Sequence, residues 1–249
     1  MTLAVAEKSL GFTGKTLLLV RKDLAVEARG RETLPGMLAF AFTVTLLLAF
    51  TLPPGAAVGS AVRLGQGSVA VTEVLSGFLW VTILFAGLIG FARAFEVERT
   101  EGALEPLFLA PVDRSALFAS KAASNLVTLA VVEVFLVPAF ALLFSIDLGG
   151  GRWLGVVAVV LLVDIGFVMV GTLFSALAAQ TRSREVMLPI LALPVLVPIF
   201  IAATELTADV FAGGGLGTVA ARGWFGILVA SDVVFAVIGA LAFEFAVDR

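Results

Sequence analysis

The stretch Phe91–Lys121, FARAFEVERTEGALEPLFLAPVDRSALFASK, gathers nine of the chain's 35 charged residues into one segment between two long apolar runs. A soluble domain intersperses charge with apolar side chains, whereas here the two are segregated. Upstream, Val74–Ala92 carries no charge at all; downstream, Ala122–Ile146 carries one, Glu133. Crossing a bilayer core takes about 20 predominantly apolar residues, and both runs suffice. Thr33–Val62 and Val186–Thr204 are likewise uncharged. Trp153–Thr181 and Gly223–Phe243 each hold a single acid, Asp164 and Asp232. With 60% hydrophobic residues, 14% charged residues and a mean hydropathy of +1.12, the composition is that of a membrane protein.

The pattern predicts an all-α integral membrane protein with six transmembrane helices. They are placed near 34–52, 74–95, 122–146, 153–178, 186–204 and 224–245. Residues 34–249 then form one membrane domain, preceded by an interfacial segment, 1–33. Alternating ten-residue strands of a β-barrel are absent from the pattern. No short basic n-region precedes the first apolar span, so that span is expected to stay as an anchor. Thirteen of the 16 Lys and Arg residues fall at the termini and in the second and fourth loops. By the positive-inside rule, both termini are expected in the cytoplasm.

Cysteine and tyrosine are absent, and so is histidine. Zinc sites, thiol redox chemistry, His-based acid–base catalysis and His, Cys or Tyr ligation of haem iron have no side chains here to serve them. The four methionines read as start codon and span filler. No GxxxxGK[ST] phosphate loop occurs, so ATP hydrolysis is expected elsewhere and the chain is not expected to be an enzyme.

Residues 1–33 read as an amphipathic helix in the membrane plane, with Leu10, Leu17, Val20, Leu24 and Ala28 on one face and Lys15, Lys22 and Arg29 on the other. A helix packed on a partner is the alternative. The segment from Pro53 to Thr72 reads as an external Gly/Ser/Ala-rich connection. Span five holds Pro189, Pro194 and Pro198 and is expected to be kinked or partly irregular, facing neighbouring spans. Between Glu205 and Gly223 a short re-entrant or interfacial piece is expected.

Within the charged loop, Arg93 and Phe95 close span two. Glu98, Arg99 and Glu101 make a polar helix end, and Gly102 breaks it. Ala103–Leu109 then forms a short helix with Leu104 and Leu107 on one side, and Pro111 stops it. Asp113 caps a new helix running through Lys121 into span three. Acidic and apolar residues sit together on that short helix, which suits docking into a groove; a plain surface helix fits the same pattern. The mid-span acids Glu133, Asp164 and Asp232 are costly at about 2.5–3.5 kcal/mol each if charged. With no basic residue expected in any span, they read as neutral carboxyls bonding between helices to Ser, Thr or backbone, or as a polar path or a contact with another subunit.

The arrangement Glu98-Arg99-x-x-Gly102-x-Leu104-Glu105-x-Leu107, then Pro111, Arg114 and Lys121, resembles the coupling loop of ABC-2-type permeases. With Arg93-Ala-Phe95, the proline-rich fifth span and the chain length, the whole resembles the CcmB family of cytochrome c maturation systems. The resemblance implies an inner-membrane permease subunit that works with a separate ABC ATPase. Arg93, Glu98, Arg99, Glu101, Gly102, Leu104, Glu105, Leu107, Pro111 and Arg114 would form the coupling site. ATP would then bind a CcmA-like partner and haem would bind CcmC-, CcmD- and CcmE-like partners, with no cofactor on this chain. A homodimer within the complex is expected, in contact with lipid and without nucleic acid. A generic exporter of lipid, polysaccharide or drug, a passive scaffold and a proton-coupled transporter using the three acids remain open on the residues alone.

Overall fold

The computed structural model describes residues 11–30, 33–53, 56–64, 67–95, 102, 114–179, 181 and 184–246. In chain order these form α1 (Phe12–Gly30), α2 (Thr33–Thr51), β1 (Ala61–Leu64), β2 (Gly67–Ala70) and α3 (Val71–Arg93). Then come α4 (Arg114–Leu143), α5 (Arg152–Ala179), α6 (Arg184–Phe211), α7 (Leu216–Ala221) and α8 (Gly223–Ala246). Among the described residues five helices, α2 to α5 and Val186–Phe211 of α6, are long and apolar enough to cross a membrane; α8 adds a shorter apolar run, Gly223–Gly239. The chain is a multi-pass membrane protein.

At the centre stands α5, which buries residues from Gly155 to Ala179 and leaves Leu154, Val157, Leu161 and Ile165 exposed as an apolar stripe. It packs against α6, α8 and α4, while α3 lies against α6 and α2. Lipid tails are as apolar as Leu, so close approach through small residues does much of the work that water would do elsewhere. Gly87 of α3 faces the Phe167 ring of α5, and Gly171 of α5 faces the Phe91 ring of α3. Each glycine is one turn from the aromatic on its own helix, so the two notches are reciprocal. The rings meet edge to face at 4.9 Å, a favoured aromatic geometry. Two polar ties, the first buried and the second half-buried, add direction: Trp80 Nε1 donates to Thr207 Oγ1 at 2.8 Å, and Asn125 Nδ2 donates to Thr172 Oγ1 at 2.9 Å.

The connection before α3 departs from expectation. It contains an antiparallel hairpin in the register Ala61↔Ala70, Val62↔Val69, Arg63↔Ser68 and Leu64↔Gly67, which runs directly into α3 at Val71. On the same side of the bundle, Asp147 closes the α4–α5 turn. Its Oδ1 accepts from Gly149 N at 2.8 Å and its Oδ2 pairs with Arg152. The Gly149 N–H and then the Arg152 charge hold the Asp147 carboxyl below its ordinary range. Asp209 at the end of α6 pairs with Arg222 at 2.6 Å, spanning the short helix α7, which lies in the segment expected to hold a short interfacial piece.

Span five also differs. Through Pro189, Pro194 and Pro198, α6 runs as one α-helix from Arg184 to Phe211, not as a partly irregular segment. Its buried face is Leu188, Ala192, Leu196, Ile199, Ala203 and Leu206. Pro194 and Pro198 are exposed and Pro189 is half-buried, so the prolines point away from the neighbouring spans. Put on that side, the rings meet no packed partner and the helix continues past them.

The N-terminal helix is turned relative to its expected face. α1 packs on α4 through half-buried Thr16, Leu19, Val20, Asp23, Leu24 and Glu27, and leaves Leu17, Leu18 and Ala28 exposed. Two acids therefore sit on the protein-facing side, where they find cationic and N–H partners.

Candidate functional site

The charged loop leaves the bundle at the end of α3 and returns at the start of α4. Its outgoing end is firmly seated. Ala94 N donates to Phe91 O, and Phe95 is buried in a second apolar cluster with Leu117, Phe118, Leu173, Ala176 and Ala179, against which Leu19 of α1 packs. Arg93 is exposed on the last turn of α3, and Arg114 opens α4. Gly102 is exposed with φ 65°, in the left-handed region that glycine enters without a Cβ penalty. Glu98, Arg99, Glu101, Leu104, Glu105, Leu107, Pro111 and the expected cap Asp113 lie outside the described residues.

Lys121 is the position where sequence and structure part most. The helix read through Lys121 into span three is present as α4, but no base is expected in a span, and here Lys121 sits inside a candidate span and is only 4% exposed. Burying an ammonium needs compensating partners, and three residues supply them. Lys121 Nζ donates to Ala94 O at 2.9 Å, pairs with Asp23 Oδ2 of α1 at 3.3 Å, and lies 5.1 Å from the centre of the Phe95 ring, within cation–π range. Asp23 also pairs with Lys22 at 3.1 Å. One turn along α1, Glu27 Oε1 accepts from Leu34 N at 3.1 Å, satisfying one of the orphan donors at the start of α2. A polar cleft of about 80 Å³ opens beside these groups, lined by residues that include Lys22, Asp23, Glu27, Arg93, Lys121 and Asn125.

Sequence reasoning missed Asp23 and Glu27. Their spacing of four, on the same helix face as Val20 and Leu24, was the available signal. It says that two acids share a face, but it does not name the cation that meets them.

The intramembrane acids form a separate group. Glu133 on α4 and Asp164 on α5 are 3% and 0% exposed, and their carboxyls meet each other. No hydroxyl, amide or backbone group reaches their four oxygens. A hydrogen bond between the two therefore needs a proton carried by one of them. Asp232 of α8 is buried against Gly166 of α5, likewise without a partner. Among the described residues these acids do not gather into a group able to hold a metal ion. Lys121 lies twelve residues from Glu133 on α4, about 18 Å along the axis at ~1.5 Å per residue, too far to pair.

Compared with known proteins, the sequence matches the family described as CcmB protein over residues 15–249. It is 30% identical over 188 residues to "Heme exporter protein B" of Rhodobacter capsulatus, a match covering 76% of this chain and 80% of that protein. It is 26% identical over 192 residues to the protein of the same description from Haemophilus influenzae, again covering 76% and 80% of the two chains.

Proposed function

The chain belongs to the CcmB family, and from that premise we propose that it is the permease-like membrane subunit of an ABC-2-type haem-exporting complex. Its charged loop, Phe91–Lys121, receives the motion of a separate ATPase subunit. The observation that carries this reading is the contrast within the loop. A polar, acidic middle is attached to the bundle by deeply seated ends, Phe95 and Lys121. A segment built that way takes load from a partner and passes it to the spans.

In this reading residues 34–249 form the membrane domain with six spans, α8 being the sixth, and α1 lies at the membrane boundary with both termini in the cytoplasm. The excess of Lys and Arg at that end supports the orientation. Haem is the cargo. The chain holds no His, Cys or Tyr, so in this reading axial ligation of haem iron falls to partner subunits. ATP likewise belongs to the partner ATPase, and two copies of this chain serve one transporter.

Co-expression with a CcmA-like ATPase, followed by affinity purification, tests the docking. The wild-type chain retains the ATPase and raises its turnover. Leu104→Arg and Glu105→Arg, which place a bulky cation on the expected docking helix, lose the ATPase by at least about tenfold, equivalent to ~1.4 kcal/mol. Retention of the ATPase by both variants refutes docking at this loop.

A further inference from the structure

The N-terminal helix is bonded to the bundle at the two ends of the charged loop and at the start of the first span. Lys121 joins Ala94 O, just past the end of α3, to Asp23 on α1. Leu19 of α1 packs against the cluster that holds Phe95 and Leu117. One turn after Asp23, Glu27 holds the Leu34 N–H at the start of α2. We propose that Lys121 and Asp23 are positioning residues that clamp the two ends of the loop to α1, so that a displacement of the loop carries α1 with it and reaches α2 through Glu27. This rests on the reading that an ATPase pushes the loop.

The physical argument is one of stiffness. The charge on Lys121 is buried, so pulling it away from Asp23 and Ala94 O breaks a charge-assisted pair and a hydrogen bond where water does not readily replace them. Separating the two loop ends from each other, or either from α1, is therefore costly, and moving them together is not. Without the clamp, α1 keeps the Glu27–Leu34 bond to α2 and meets α4 by half-buried contacts that include Leu19, which permit more sliding than a buried ion pair does. With it, the loop's force is shared between α3, α4 and α1.

The natural chain has no cysteine, so two introduced cysteines report on α1 alone. Val26→Cys on α1 and Val186→Cys on α6 replace residues that are 36% and 61% exposed. The complex with its ATPase is placed in lipid nanodiscs, both cysteines are spin-labelled, and their separation is measured with and without a non-hydrolysable ATP analogue. In the otherwise natural chain the analogue shifts the distance. In Asp23→Asn the ATPase is retained but the shift is lost, and Lys121→Met behaves in the same way. Lys121→Arg, which keeps a long cation, restores the shift. If Lys121→Met fails to assemble, Asp23→Asn decides the matter, because it keeps shape and removes only the charge. A shift of natural size in Asp23→Asn overturns the clamp and leaves ATPase docking standing. So does the absence of any shift in the natural chain with the ATPase bound. If the natural chain retains no ATPase, both readings fall.

Discussion

Gly171→Ala offers the sharpest test of how the bundle is held together. A Cβ at Gly171 would overlap three atoms of the Phe91 ring. That ring is buried and already edge-to-face with Phe167, so it has little freedom to move aside. Overpacking of this kind costs about 1–3 kcal/mol, and the fenced ring argues for the upper end, ~3 kcal/mol. Alanine in place of glycine inside a helix returns about 1 kcal/mol. The net is a loss of ~2 kcal/mol, or a melting temperature lower by about 4–8 °C for a chain of this size. Gly77→Ala on α3 is the control, because a Cβ there meets nothing within 4 Å; only the helix term remains and stability rises by up to ~1 kcal/mol. Adding Phe91→Leu to Gly171→Ala relieves the overlap, so the double variant is more stable than the sum of the singles by at least ~0.5 kcal/mol. Thermal unfolding of the purified protein in one detergent measures all four variants. A Gly171→Ala protein that melts at or above the natural one refutes the notch.

Two further outcomes follow from bonds already described. Trp80→Phe removes the donor to Thr207 and Thr207→Val removes the acceptor; each costs ~1 kcal/mol in detergent unfolding, and the pair costs less than the sum because only one bond is lost. For Asp147 the carboxyl sits below its ordinary value, so its contribution is fully present above about pH 3.9 and fades as pH falls through the lowered value. Asp147→Asn therefore melts earlier than the natural chain by a constant margin from neutrality to about pH 5, and the two curves converge only in stronger acid. A margin that changes between pH 5 and 8 refutes that assignment.

The apolar runs were legible because a bilayer imposes a length on each helix, and uncharged stretches of that length are visible residue by residue. The helix through Lys121 was legible too, but the burial of its ammonium was not, because a linear pattern does not say which neighbouring helix covers that side. Asp23 and Glu27 show the same gap: periodicity identifies a shared face but not whether that face meets lipid or protein. Gly87 and Gly171 stand one turn from Phe91 and Phe167 in sequence, yet that two helices trade notches is a property of the pairing. The hairpin at 61–70 left only the faint trace of Val62-Arg63-Leu64 and Ser68-Val69, with the Gly65-Gln66 pair between, in a stretch whose composition suggested a plain connection.

The prolines of α6 give the bundle an elasticity with a direction. Pro189, Pro194 and Pro198 cannot donate to the carbonyls of Glu185, Ile190 and Pro194, and with two of the three rings exposed and the third half-buried, the missing bonds lie toward the outward side of the helix. The inward side, with Leu188, Ala192, Leu196 and Ile199 against its neighbours, keeps its full ladder. A rod weakened on its outer edge lengthens there more readily than on its inner edge, so α6 yields by curving around the bundle and resists curving away. Its restoring force is therefore one-sided: a thrust that closes the helices around α5 meets a compliant spring, and one that splays them meets a stiff one.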